Sequence, residues 1–330
     1  MKALVTGGGG FLGRYIVELL VTRGDTVRAL VRRDCPELAA LGVELVRGDM
    51  RDGPAVGAAC RGVDTVFHTA AVAGIWGPWR HYYETNTLGT QHVVDGCLRH
   101  GVRRLVFTSS PSVTFDGRDQ LGVDESAPYA SRWLCHYPHT KALAEQLVLR
   151  ASGRGGLWTC VLRPHLIWGP RDSHLVPRLV ERARRGQLRR VGDGANLVDI
   201  VYVENAAAAH LLAADALVPG GAVCGRAYFL SQGQPVNCWQ WIDQLLRLHG
   251  LPPVTRSISL ARAWRVGAVL EAAHRLMRSR SEPRMTRFLA AQLARSHYFD
   301  IGRAQADLGY VPRISTDEGM RRLANPGENV

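Results

Sequence analysis

Tyr137-Pro138-His139-Thr140-Lys141 sets a phenol four residues ahead of an ammonium, a spacing that places both on one face of a helix. A free phenol, with a pKa of about 10, is a poor base at neutral pH. A neighbouring cation favours the phenolate and brings it toward a working range. Upstream, Thr108-Ser109-Ser110 closes a short apolar run. A hydroxyl there can hydrogen-bond the oxygen of a substrate while Tyr137 moves its proton. Alone, such a Tyr-Lys pair is usually a helix surface pair. The chain also opens with MKALVTGGGGFLG, where Ala3-Leu4-Val5 is followed by Thr6, four glycines and a helical pattern from Phe11. Glycines at Gly7, Gly10 and Gly13 let backbone N–H groups and a helix N-terminus approach a pyrophosphate with no Cβ in the way. A proton-transfer group beside a dinucleotide is the chemistry this set implies.

The elements that must position these groups follow from hydrophobic patterning. Apolar runs at 2–6, 26–31, 43–47, 64–68, 103–108 and 158–163 have the character of buried parallel strands. Helical patterns at 11–23, 52–60, 82–100 and 138–151 lie between them. Pro138 is acceptable there only in a first turn. This alternation predicts an α/β fold: a Rossmann-type, doubly wound parallel sheet with helices on both faces. Thr108-Ser109-Ser110 then ends the fifth strand at the carboxyl edge, where open α/β sheets bind ligands. The rhythm loosens after about residue 165. A dinucleotide-binding domain is therefore expected over 1–165, and a smaller, mainly substrate-binding C-terminal region over 166–330, with some segments returning to the core.

The 330 residues, 46% hydrophobic and 21% charged, suit a soluble globular enzyme. Seven scattered cysteines form no CxxC pair, so reduced, buried thiols in a cytoplasmic protein are expected and no metal. Met1-Lys2 leads directly into the first strand, which leaves no signal peptide ahead of it. The net charge of +12 is assigned first to solvated helix faces and next to a surface for anionic lipid. No zinc finger, RNA-recognition signature or basic zipper accompanies it, so no nucleic-acid partner is expected. The segment 257–280 carries Arg262, Arg265, Glu271 and Arg275 and is not a membrane span. A substrate lid or packing helix, or a membrane-surface helix with Trp264 at the interface, fits it. Oligomeric state stays open, a homodimer included.

With these motifs assembled, the chain resembles the extended short-chain dehydrogenase/reductase superfamily over nearly its whole length. The blocks are TGGGGFLG at 6–13, GDM at 48–50, HTAA at 68–71, NTLGT at 86–90, FTSS at 107–110, YPHTK at 137–141 and LRPHLIWGP at 162–170. It is most similar to the 3β-hydroxysteroid dehydrogenase branch, including decarboxylating sterol-4α-carboxylate 3-dehydrogenases, through SVTFDG at 112–117, the YPHTK box and GANLVDIVYVENAAAAH at 194–210. AAVAGIWG at 70–77 and DLGYVPRIS at 307–315 also resemble the reductases of 2-alkyl-3-oxoalkanoic acids in bacterial olefin synthesis. The resemblance implies that Tyr137 is the acid/base, that Lys141 holds the cofactor ribose and tunes Tyr137, and that Ser110 orients the substrate oxygen, with Ser109 as its alternative. It also implies Gly7, Gly10, Phe11, Leu12 and Gly13 at the pyrophosphate, Asp49 and Met50 beside the adenine, and Ala70, Ala71 and Thr108 along the cofactor. Pro164 would abut the nicotinamide. Asn86 is left between a cofactor contact and an internal loop brace.

NAD-preferring relatives end the second strand with an acid that accepts from the ribose 2′-OH. Val31 stands there in this chain, followed by Arg32 and Arg33, whose guanidiniums suit a 2′-phosphate. NADP(H) is therefore favoured over NAD(H), although Asp34 lies close by. Both resembling groups handle an alcohol or ketone β to a carboxylate in a bulky apolar molecule. The sterol type stands first here, the 3-oxoalkanoate type second, and a nucleotide-sugar epimerase or dehydratase third. A bound carboxylate would need a cation, for which Arg171, His174 and Arg178 are candidates. Arg163 more naturally ties the sixth strand to its neighbours, and His165 packs. Trp76, Trp79, Tyr82, Tyr83, Trp133 and Trp168 could wall a sterol-sized pocket.

Overall fold

The computed structural model describes residues 1–279 and 281–325. Seven parallel strands form its main sheet: β1 (Lys2–Thr6), β2 (Thr26–Val31), β3 (Glu44–Arg47), β4 (Thr65–His68), β5 (Arg104–Thr108), β6 (Trp158–Pro164) and β7 (Arg226–Leu230). They lie in the order β3-β2-β1-β4-β5-β6-β7. The first six match the expected runs to within a residue at each end. β7 lies outside the predicted set. It is a five-residue run behind a glycine-rich loop, and it pairs with β6 from Arg226 opposite Cys160 to Leu230 opposite Pro164.

Ala3, Leu4, Val5, Val66, Phe67, Leu105, Val106 and Phe107 have no exposed surface, as a sheet covered on both faces requires. One face is covered by α1 (Phe11–Thr22) and by an alanine-rich helix at Val203–Ala216. The other carries α2 (Gly53–Ala59), α3 (Gly89–His100) and α4 (His136–Ala151). Pro138 falls in the first turn of α4, where its missing N–H costs nothing. The helix expected over 82–100 is not uniform. A short turn at Trp79–Tyr82 passes into a π-type turn over Tyr83–Leu88 before α3 begins. Such a bulge rotates the side chains it contains and is frequent at functional sites.

The strand order reverses between β1 and β4, so a crevice opens beyond their carboxyl ends. The glycine turn after β1, the loop after β4, Thr108-Ser109-Ser110 after β5 and Pro164 at the end of β6 all border it. Beyond residue 165, Trp168, Tyr202, Trp239 and Trp241 centre a separate apolar cluster. The 257–280 segment folds as helix α5 (Leu260–Leu276), which packs on α6 (Arg287–Ala294). No helix among the described residues is long and apolar enough to cross a membrane.

Candidate active site

Backbone geometry explains two of the glycines. Gly7 has φ +72°, and a Cβ there would lie 2.9 Å from the Ala70 backbone. A Cβ on Gly13 would lie 2.2 Å from the Gly7 carbonyl oxygen, so α1 can start against the turn only without a side chain. No side chain caps α1 and no acid stands in its first turn, which leaves its leading N–H groups for an anion. The end of β4 is pinned to the same turn. The Thr69 hydroxyl donates to the Thr6 carbonyl at 2.8 Å, and the His68 ring lies 2.7 Å from the Thr6 hydroxyl and 2.8 Å from that of Thr90. Burial pushes His68 down to about 3, so its ring is neutral. Thr90 donates its own proton to the Asn86 carbonyl, which assigns the ring N–H to Nε2 and leaves Nδ1 to accept from Thr6.

A cleft of about 690 Å³ runs from this turn. Gly7, Gly10, Phe11, Leu12, Gly13, Arg32, Arg33, Asp49, Met50, Ala70, Ala71, Thr108, Ser110, Tyr137, Lys141 and Pro164 all line it. The turn that a Cβ would block and the uncapped helix start fit a dinucleotide, with Gly7 to Gly13 at its pyrophosphate. Arg51 pairs with Asp49 at 2.9 Å and holds its carboxyl down at about 2. Asp34 pairs with Arg47 at 3.3 Å and does not line the cleft, whereas Arg32 and Arg33 do.

Asn86 does not line the cleft, which corrects its placement among the cofactor contacts. It is 1% exposed; its amide accepts from Val72 N–H at 2.7 Å and donates to Val72 O and Thr140 Oγ1, each at 3.1 Å. These bonds tie the loop after β4 to α4. The π-type turn makes this reach possible, and it also lets Thr87 donate to the Thr140 carbonyl at 3.0 Å. Of the two roles the sequence left open for Asn86, these bonds are those of the internal brace; the π turn that aims it has no periodic signature in sequence.

Tyr137 and Lys141 share the face of α4 that looks into the cleft. Lys141 donates to the Thr108 carbonyl at 2.6 Å and sits 4.0 Å above the Phe107 ring. Burial pulls its ammonium down to about 7, against the opposing pull of Glu145. Burial raises the Tyr137 phenol to about 12, while the Ser110 hydroxyl works the other way. Both serines border the cleft, but their hydroxyls are engaged differently. Ser109 donates to Glu145 at 2.5 Å and its N–H to the Leu162 carbonyl, so its hydroxyl is committed to the interior. Ser110 lines the cleft, its Oγ 2.9 Å from that of Ser112.

Glu145 also takes the buried Arg163 (Nη2 at 2.5 Å) and the Tyr129 hydroxyl, so Arg163 ties β6 to α4. His165 is buried, 2.6 Å from His297. Of the three carboxylate candidates, Arg171 is engaged by Glu18 through both terminal nitrogens at 2.6 and 2.7 Å. Arg178 shares Glu282 with Arg182. His174 is exposed at the lip of the cleft.

A second cavity, of about 780 Å³, lies on the other side of the first turn of α4. Trp76, Tyr82 and Trp133 line it, with Cys135, His136 and His139 from the Tyr137 segment. Trp79 stacks on Tyr83 and abuts His139. Trp168 does not belong to this wall: it is fully buried against Tyr202 and Trp241. The outer wall was not foreseen residue by residue. It comes from α5 and the start of α6 through Glu271, His274, Arg275, Arg278, Ser279 and Arg287. Glu271, Arg275 and Arg278 broke the apolar pattern of 257–280 because they look into the cavity, whereas Arg262 and Arg265 are exposed and lie outside it. All seven cysteines are unpaired, Cys135 and Cys224 only half-buried. Among the described residues no group of three His, Cys, Asp or Glu could hold a metal ion.

Comparison with known proteins places this geometry among relatives. The 3-beta hydroxysteroid dehydrogenase/isomerase family matches residues 4–262. A 2-alkyl-3-oxoalkanoate reductase of Stenotrophomonas maltophilia is 50% identical over 326 residues, covering 98% of each chain. The 3beta-hydroxysteroid-dehydrogenase/decarboxylase isoform 1 of Arabidopsis thaliana is 37% identical, over 97% of this chain and 78% of its own. Among solved structures, MoeE5 in complex with UDP-glucose and NAD is 28% identical with a TM-score of 0.75, covering 98% of this chain and 97% of that one.

Proposed function

The chain belongs to the 3-beta hydroxysteroid dehydrogenase/isomerase family and is an NAD(P)-dependent oxidoreductase, and from that premise we propose that it reduces the ketone of a 2-alkyl-3-oxoalkanoate. The observation that carries the substrate is the 50% identity, end to end, with a reductase of that name. It reverses the order in which the sequence motifs put the sterol and oxoalkanoate types. The oxidation of a sterol 4-carboxylate stays as the second reading, favoured by the 37% identity with a plant dehydrogenase/decarboxylase. In either case residues 166–330 supply the outer wall of the substrate cavity, and the segments around Trp76 and Trp133 supply its aromatic wall.

The ketone oxygen sits between Ser110 and Tyr137. Ser110 donates a hydrogen bond to it, and the Tyr137 phenol gives its proton as negative charge develops on the oxygen. A phenol raised to about 12 is protonated at neutral pH, the form that a ketone reduction requires. Lys141 then stabilises the phenolate, and its ammonium is held at the cleft floor by the Thr108 carbonyl. When bound, the nicotinamide dinucleotide supplies the hydride. A β-keto acid loses CO₂ through an enolate delocalised onto its ketone, so reduction to the hydroxy acid closes that route. Val31 at the end of β2, with Arg32 and Arg33 lining the cleft, supports NADPH as the reductant.

The test is a panel of a 2-alkyl-3-oxoalkanoate, a sterol 4-carboxylate, a plain 3-hydroxysterol and a UDP-sugar, each with both cofactors, followed by reduced-nicotinamide absorbance. Consumption of NADPH with the oxoalkanoate is expected. Turnover of the sterol carboxylate alone would replace this reading with the second. Conversion of the sugar with no net change in cofactor would make the protein an epimerase.

A further inference from the structure

We infer that Arg275 and Arg278, at the C-terminal end of α5, bind the carboxylate of the substrate and make the enzyme selective for acids over neutral ketones. The inference rests on the oxoalkanoate reading above and assigns the anion-recognising residues within it. Three guanidiniums, those of Arg275, Arg278 and Arg287, line the second cavity opposite one carboxylate, Glu271. Arg287 accounts for that carboxylate. Its Nη2 and Nε reach Oε2 at 2.7 and 3.0 Å, and its backbone N–H reaches Oε1 at 2.7 Å. Glu271 is 2% exposed and serves to lock α5 onto α6. Arg275 touches the same carboxylate only at 3.5 Å and lies 5.7 Å over the Trp76 ring. Arg278 has no ion-pair partner among the described residues.

The arginines of β6 and of the segment that follows it are engaged, and Arg32 and Arg33 lie at the other end of the cleft, beside β2. Arg163 is held by Glu145, Arg171 by Glu18, and Arg178 and Arg182 by Glu282. Positive charge in excess of its carboxylate therefore collects on one wall of a cavity whose other wall carries Trp76, Tyr82 and Trp133. The histidines around it do not supply that charge: burial first, then Arg275, holds the His136 ring below its ordinary value. An aromatic chamber with a cationic wall suits an amphiphilic carboxylic acid. Its alkyl chains pack on Trp76, Trp133 and Tyr82, and its head group meets the guanidiniums. Cys135 and His136, the two residues before Tyr137, line this cavity, which brings its inner wall next to the acid/base in the chain.

Backbone conformation is a second, independent observation. Arg278 has φ +49° just past the end of α5, in the left-handed position that usually holds glycine. A non-glycine residue there is strained, and strain of this kind is retained where the side chain is used. The Trp76 indole donates to the Ser279 carbonyl at 3.3 Å and packs edge-on to His274, which fixes the cavity rim to this same turn.

Arg278→Gly removes the cation while relieving the strain, and Arg275→Gln removes the other cation in place. KM and kcat are measured with NADPH for a 2-alkyl-3-oxoalkanoate and for its methyl ester, alongside melting temperatures. The expected result is a KM for the acid raised about tenfold or more in each variant, with the loss confined to the acid. Arg278→Lys should recover part of it, and Arg278→Gly should melt no lower than the wild type. Equal effects on acid and ester, or none on either, overturn the assignment while leaving the substrate reading intact. A wild-type enzyme inert toward both compounds overturns the substrate reading and this assignment together.

Discussion

Lys141→Met turns the buried ammonium of the active site into a measurable stability difference whose sign depends on pH. Lys141 is 2% exposed, and burial pulls it from an ordinary 10.5 to about 7. At about 1.4 kcal/mol per tenfold change, the fold opposes the protonated side chain by roughly 5 kcal/mol at most. Against this stand the charge-assisted bond to the Thr108 carbonyl, worth roughly 2 kcal/mol, and the contact with Phe107, worth about 1. Because the folded value is depressed, the unfolded chain binds more protons between about 7 and 10.5. The penalty is therefore full below about pH 7 and fades as pH rises toward 10. Methionine keeps most of the volume and carries no charge. At pH 6 the variant should be more stable by about 2 kcal/mol, a rise in Tm of a few degrees. Above about pH 11, where Lys141 is mostly neutral even when unfolded, only the lost bond to Thr108 remains, and the variant should be the less stable one. Thermal melts of the cofactor-free proteins across this range should cross. A variant less stable at pH 6, by an amount that does not change with pH, would refute the burial argument. Turnover should fall throughout, since the Ser110 hydroxyl alone then stabilises the Tyr137 phenolate.

Two further outcomes follow from the cleft. Tyr137→Phe should bind NADPH as the wild type does, by nicotinamide fluorescence, and lose about 10²- to 10⁴-fold in kcat; substantial residual turnover would place the proton donor elsewhere. Arg32→Ala should weaken NADPH about 10- to 100-fold, the worth of a charge-assisted contact, and NADH far less. Equal losses in a titration of both cofactors would remove the 2′-phosphate argument.

Where sequence reasoning succeeded, the determinants were local. The inner strands β1, β4, β5 and β6 are largely apolar runs because both faces of a parallel sheet are buried, while the edge strand β3 keeps Glu44 and Arg47 exposed at its ends. Gly7, Gly10 and Gly13 announce a turn that excludes Cβ, and the four-residue step from Tyr137 to Lys141 is a property of any helix. What remained hidden depends on distant partners. Asn86 sits in a motif, but only contact with Val72 and Thr140 makes it a brace. Ser109 and Ser110 are neighbours of the same type, separated only by Glu145 reaching in from α4. Trp168 looked like Trp76 and Trp133 until its packing against Tyr202 and Trp241 removed it from the cavity.

The sequence by itself determined six of the seven strands, the glycine turn after β1 and the shared helix face of Tyr137 and Lys141, because period, glycine and residue type are encoded within a few positions of one another. Only the tertiary structure decided which cations are free. An arginine's charge is visible in sequence, but the carboxylate that neutralises it can be over a hundred residues away, as Glu18 is from Arg171 and Glu282 from Arg178. The cations left over are defined only once the chain has folded.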